Sequence, residues 1–166
     1  MQQPRPHVTE LAKPKTKLDR LVKAYVELGN EFRDLDNPVL EKLAAPFLSV
    51  TNWLDEVNAK AKRSALVGGL EQGLREVPTI LTSSNLPVDV QRLAFKAYYH
   101  VVEKNIDGFF IKDLEKREKI VARGKIKSEN EFYLIRNRVD EIEGEASFKI
   151  ELSVLYKLID DYEKIA

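Results

Sequence analysis

The chain has 166 residues, which is the size of one ordinary domain with its own hydrophobic core. Its 27 basic and 27 acidic side chains leave no net charge, so no global field would hold the protein on a polyanion or an anionic membrane. The absence of cysteine excludes disulfides, zinc–thiolate sites and thiol catalysis.

The first 15 residues carry three prolines among polar neighbours, a composition that favours extended, solvated backbone. We therefore predict a flexible tail over residues 1–15, in which His7 has no ligand role. The tail lacks the apolar run of a secretory signal, and no later stretch reaches the roughly 18 apolar residues of a spanning helix. These features predict a cytoplasmic protein without a membrane segment.

The folded part opens with helical patterns. Apolar residues recur every three or four positions over residues 16–29, which predicts a first helix ending at its glycine. Asn37 is a good cap and Pro38 is favoured at a first helical position, so a second helix should begin there. Pro46 lies inside the second pattern and should bend or break that helix near Ala45.

A glycine-rich segment and a polar linker follow. Residues 65–81 show a helical stripe interrupted by Gly68, Gly69 and Gly73. Each glycine costs a helix about 1 kcal/mol relative to alanine unless close packing compensates for it. The stretch Pro78–Pro87 combines two prolines with a Thr-Ser-Ser-Asn run, which is typical of an internal linker.

The second half repeats the helical rhythm. A helical face runs to about Glu103, and the stretch Asn105–Gly108 predicts a turn into another helix that ends near Gly124. Ser128 followed by Glu131 forms the pattern of a capping box, so a further helix should start there.

The final segment, residues 146–165, fits a helix by spacing, although residues 148–156 also alternate as a half-buried strand would. Its length and its lack of Gly or Pro favour the helix. One face of that helix is apolar and consists of Phe148, Leu152, Leu155, Ile159 and Tyr162.

These elements together predict an all-α fold, a compact bundle of about six helices that ends in a C-terminal helical hairpin. Residues 16–166 should form a single helical domain, with 16–83 and 84–166 as its two halves.

Catalytic chemistry has few reagents in this sequence. His100 is the one histidine outside the tail, and the acidic groups at 140–143 and 160–163 point in different directions on their helices, so we predict no catalytic residues, metal or cofactor. An enzyme would need a pocket near His100 or beside Tyr98 and Tyr99. We therefore predict a non-enzymatic helical protein–protein interaction module, such as a regulator, adaptor or inhibitor-like partner, with that unrecognised enzyme as one alternative.

Two surfaces are candidates for binding. The apolar face of the last helix is wide enough to form an interface with another protein, including a second copy in a homodimer. The other alternative is nucleic-acid association through the basic segment 112–127, where acidic residues at helical spacing are more typical of a solvated face. Its candidate phosphate contacts are Lys116, Arg117, Lys119, Arg123, Lys125 and Lys127.

Overall fold

Helices make up all the regular structure in the described part of the chain. The computed structural model describes residues 16–165, which form eight α-helices and one 3-10 turn. In chain order they are α1 (Lys17–Asp34), α2 (Pro38–Leu48), α3 (Val50–Val57), α4 (Arg63–Ser83), α5 (Val88–Asn105), α6 (Ile111–Arg123), α7 (Glu129–Ile142), the turn (Ala146–Phe148) and α8 (Lys149–Ile165). The predicted all-α bundle is confirmed, including helix in place of strand in its last segment. The predicted tail and His7 lie outside the described residues.

Local capping signals identified several helix ends correctly. The Asn37 side chain accepts hydrogen bonds from two backbone N–H groups at 2.9 and 3.2 Å, and Pro38 is the first residue of α2. Ser128 Oγ accepts from the backbone N–H of Glu131 at 3.2 Å at the start of α7. Gly124 ends α6 with a φ of 75°, a left-handed conformation that glycine adopts without strain.

Two helices extend further than the sequence patterns predicted. α1 continues past Gly29 and thereby buries Phe32. α2 passes through Pro46 and ends at Leu48, so the predicted bend or break near Ala45 is wrong in its position. The carbonyl that loses its helical donor at this proline belongs to an exposed residue, where water can replace the donor.

The linker predicted at Pro78–Pro87 is wrong for most of its length. α4 continues through Pro78, and only residues 84–87 connect it to α5. A proline inside a helix deprives the carbonyl four residues earlier of its N–H donor, and that carbonyl here belongs to Leu74. The Tyr98 hydroxyl, which projects from α5, donates to this carbonyl at 2.7 Å. The buried carbonyl therefore keeps a partner, and α4 continues.

The buried side chains form two hydrophobic clusters. The first surrounds α1, which contacts α2, α3, α4 and α5, and its last member is Phe109. The second begins at Ile120 and is formed by α6, α7 and α8. The division between clusters thus falls after α5, whereas the predicted halves 16–83 and 84–166 meet before it.

Helix α5 joins the two clusters, because it packs on α1 and α4 and also contacts α7. Two ion pairs cross this junction between the clusters. Arg92 Nη2 lies 2.7 Å from Glu143 Oε2, and Lys96 Nζ lies 3.3 Å from Glu145 Oε1. Polar contacts therefore contribute to the way the C-terminal helices are held against the rest of the molecule.

The three glycines of α4 have different surroundings. Gly73 lies directly against the Tyr25 hydroxyl. In this position the hydroxyl donates to the carbonyl oxygen of Leu70 at 2.7 Å. A β-carbon at Gly73 would overlap that hydroxyl, whereas β-carbons at Gly68 and Gly69 would meet no atom within 4 Å. Only one of the three glycines is therefore required by packing.

We expect Gly73→Ala to lower the free energy of unfolding by about 2 kcal/mol, because the added methyl displaces the buried Tyr25 ring from its hydrogen bond. Gly68→Ala and Gly69→Ala should each raise it by about 0.5–1 kcal/mol through better helix propensity. Urea denaturation followed by circular dichroism measures all three variants. Equal effects at the three positions would contradict this account of α4.

Candidate functional site

The apolar face of α8 that the sequence offered as an interface lies against the second hydrophobic cluster. The face consists of Phe148, Leu152, Leu155, Ile159 and Tyr162. Its three middle residues are buried in that cluster, and the first and last are half-buried at its edge. The rest of the chain thus covers much of this face, and its use by a partner stays a prediction.

An apolar surface is instead exposed in a groove between α6 and α8. Leu114 and Val121 of α6 are 43% and 38% exposed, and Val154 of α8 is 41% exposed. They line a depression of about 450 Å³. We call it the α6–α8 groove and define it by Leu114, Arg117, Glu118, Val121, Ala122, Arg138, Glu151, Val154 and Leu155.

The charged rim of the α6–α8 groove is balanced and partly ordered. Its two arginines face two glutamates, so the rim has no net charge. Arg138 binds Glu151 through two hydrogen bonds, Nε to Oε1 at 2.7 Å and Nη2 to Oε2 at 3.1 Å. These bonds hold the pKa of the Glu151 carboxyl below its usual value. Arg138 Nη1 also donates to Glu141 at 2.9 Å.

The structure brings three of the predicted phosphate contacts, Lys116, Lys119 and Arg123, to one depression and places Arg117 outside it. The full predicted set is Lys116, Arg117, Lys119, Arg123, Lys125 and Lys127. Arg123 Nη2 donates to the carbonyl oxygen of Lys125 at 2.7 Å and also pairs with the Glu131 carboxylate. Arg117 lines the α6–α8 groove, where burial and the nearby Arg138 lower its pKa. The four lysines are exposed, and contact with phosphates stays a prediction.

An open cleft of about 500 Å³ lies beside the tyrosine pair. Helix α4 forms one wall, α7 forms another, and α5 with the start of α6 lies between them. The rings of Tyr98, Tyr99 and Phe110 have centroids 5.0 to 5.7 Å apart. We call this the aromatic cleft. His100 is exposed and does not line it.

The two tyrosines of the aromatic cleft differ in their hydrogen bonding. Tyr98 is buried and its hydroxyl donates to the Leu74 carbonyl. Tyr99 is half-buried, and its hydroxyl forms no hydrogen bond with another residue in the range 16–165. Burial raises the pKa of both hydroxyls well above the usual tyrosine value, and the negative charge of Asp113 raises each pKa further. Both tyrosines therefore remain protonated at neutral pH.

Sequence reasoning found the tyrosine pair but missed the polar residues that share its cleft. Arg75 of α4 lies over the ring of Phe109, with its guanidinium carbon 4.2 Å from the ring centroid. Asp113 of α6 and Asn137 of α7 line the cleft as well. No spacing in the sequence relates these three polar side chains, because only the packing of their helices brings them together.

Comparison with known proteins does not place the chain in a family. No protein-family model, curated protein or solved structure matches it. Within residues 16–165, no three acidic or histidine side chains are placed to hold a metal ion. None of the helices in that range combines the length and apolar character needed to cross a membrane. The cytoplasmic location stays a prediction.

We expect Tyr98→Phe to lower the free energy of unfolding by about 2 kcal/mol, because it leaves the buried Leu74 carbonyl without the donor that Pro78 cannot supply. In a Pro78→Ala background the new backbone N–H can bond that carbonyl, so the same substitution should cost about 1 kcal/mol less. Chemical denaturation of the four proteins measures this coupling.

Tyr99→Phe is the matched control for Tyr98→Phe, since the Tyr99 hydroxyl has no hydrogen-bond partner among the described residues. It should change the free energy of unfolding by less than about 0.5 kcal/mol. Additive effects of Tyr98→Phe and Pro78→Ala would contradict the assignment of the hydroxyl as a replacement donor.

Proposed function

We propose that the protein is a non-enzymatic helical interaction module that pairs with a second copy of itself through the α6–α8 groove. The observation that carries this proposal is the exposure of aliphatic side chains from two neighbouring helices in one depression. Leu114, Val121 and Val154 keep about two fifths of their surface in water there. Apolar surface gathered in a groove with a charged rim is typical of protein contact sites.

The spacing of residues along α6 suits a helix as the occupant of this groove. Ile111, Leu114 and Val121 follow steps of three and seven, and Ile111 is 54% exposed one turn before the groove. This is the spacing of a seam at which one helix packs on another. An α6 helix from a second copy carries the same apolar seam.

The charges of the rim favour a second copy over a partner of one charge sign. A twofold pairing brings a surface against itself, so the surface must be complementary to itself. Arg117 and Glu118 are adjacent on α6 and carry opposite charges. A strongly basic or acidic rim would repel its own copy, whereas this balanced rim allows each charge to meet its opposite.

Nucleic-acid association draws less support from the same helix. Lys116, Lys119 and Arg123 line one depression between α6 and α7, and Arg117 lies apart from them in the α6–α8 groove. Asp113 and Glu131 line the same depression, and Glu131 pairs with Arg123, so most of the positive charge there is balanced. A phosphate backbone is bound best by several cations on one surface.

Sedimentation equilibrium across a range of protein concentrations tests the proposed pairing. The natural chain should show a monomer–dimer equilibrium, and Leu114→Glu should raise its dissociation constant about 100-fold. Loss of one buried leucine costs roughly 1.5 kcal/mol, and the twofold axis counts it twice. Glutamate is a good helix former, so α6 itself should persist.

Leu93→Glu provides the matched control, because Leu93 is 50% exposed on α5 and does not line the groove. This variant should dimerise as the natural chain does. A monomeric mass at millimolar concentration, or a dimer that tolerates Leu114→Glu, would rule out the proposed pairing.

A further inference from the structure

We propose that the aromatic cleft binds a small organic cation, an ammonium group carried on an aromatic-sized apolar body. The cleft and the α6–α8 groove are lined by different residues of α6, so this inference does not rest on the proposed pairing. Its volume of about 500 Å³ lies within the range of small-molecule sites, roughly 300–1,000 Å³.

The rings of the cleft present a surface that attracts positive charge. Tyr99 and Phe110 are half-buried, with ring centroids 5.0 Å apart, and Tyr133 adds an exposed ring from α7. The Tyr98 ring is buried and supports the other two without reaching the surface. Aromatic faces carry partial negative charge and bind ammonium and guanidinium groups within about 6 Å of the ring centroid. The Arg75 guanidinium, held over Phe109, is an example of that contact within the cleft.

Asp113 provides the counter-charge for a bound cation. Its half-buried carboxylate lines the cleft and forms no salt bridge with any of residues 16–165. After the larger effect of burial, the carboxylates of Glu141, Asp113 and Asp140 raise the pKa of Tyr99, and Arg117 alone lowers it. The potential around the Tyr99 hydroxyl is therefore biased towards the negative, which favours a cation and disfavours an anion.

An unpaired acceptor adds a hydrogen-bonding site. Asn137 Oδ1 is buried and has no donor within the described structure. A buried acceptor without a donor costs free energy, and an ammonium group brings three N–H donors. Asp113 therefore accepts from a ligand whose apolar body lies among the rings. Asn137 Oδ1, which solvent does not reach in this structure, accepts from the ligand once its side chain turns towards the cleft.

An anionic ligand fits the same cleft poorly. Arg75 carries the one positive charge among the described residues that line it. Its guanidinium is already stacked on the Phe109 ring and donates to the Phe109 carbonyl at 3.3 Å. An anion would have to draw Arg75 away from both contacts while approaching Asp113.

The test uses three probes of similar size and different charge on the full chain: phenethylamine, phenethyl alcohol and 3-phenylpropionate. Nitrogen–proton correlation spectra recorded during each titration report binding at the cleft through the amide signals of Tyr99, Phe110 and Asn137. We expect phenethylamine to shift these signals with saturation. The alcohol should bind at least about tenfold more weakly, and the anion more weakly still.

Asp113→Asn should weaken phenethylamine binding about tenfold, because it removes the counter-charge and keeps the side-chain shape. Asp107→Asn, in the exposed turn before α6, is the matched control and should leave binding unchanged. A denaturation curve for each variant shows that the fold is kept. Nα-acetyl-lysine methylamide, titrated in parallel, distinguishes a free amine from a lysine side chain of another protein as the source of the cation.

Three outcomes would overturn the proposal. The first is equal or tighter binding of 3-phenylpropionate, which would assign the cleft to anions through Arg75. The second is undiminished phenethylamine binding by the folded Asp113→Asn variant. The third is the absence of saturable shifts at the cleft residues for both cationic probes.

Discussion

The hydrogen bond from the Tyr98 hydroxyl to the Leu74 carbonyl is the constraint on which much of this structure depends. Pro78 removes the backbone donor that this carbonyl would meet in an uninterrupted helix. Because a side chain of α5 supplies a replacement, α4 extends to Ser83 and contributes the buried Leu81 to the first hydrophobic cluster. The same hydrogen bond fixes α5 against α4 beside the aromatic cleft.

The end of α4 carries local side-chain hydrogen bonds of another kind, which add to those of the backbone. Thr82 Oγ1 donates to the carbonyl of Pro78 at 2.9 Å, and Ser83 Oγ donates to that of Thr79 at the same distance. Such short polar side chains are often taken as signs of a loop, because they compete with the backbone for hydrogen bonds. Here they serve the last helical turn, and they also line one wall of the cleft.

Helix ends that depend on neighbouring residues could be predicted from the sequence, whereas contacts between residues far apart in the chain could not. Asn37 and Ser128 cap their helices through neighbours within three residues, so their patterns were sufficient. The linker at Pro78 was wrong because its missing hydrogen bond is replaced by Tyr98, which is remote in sequence. Periodicity identified the apolar face of α8, but it carries no information on whether the chain itself covers that face. The cleft was foreseen at its tyrosines alone, since its polar residues come from separate helices.

The ion pairs that join α5 to the C-terminal part of the chain make the junction between the two hydrophobic clusters more sensitive to salt than the clusters themselves. Arg92–Glu143 and Lys96–Glu145 involve partly exposed side chains, so dissolved salt weakens their attraction, while each hydrophobic cluster is far less affected by ions. Added salt should therefore weaken the attraction across this junction more than it weakens the packing inside either cluster. The aromatic cleft has walls on both sides of that junction. The spacing between those walls therefore depends in part on contacts that respond to ionic strength.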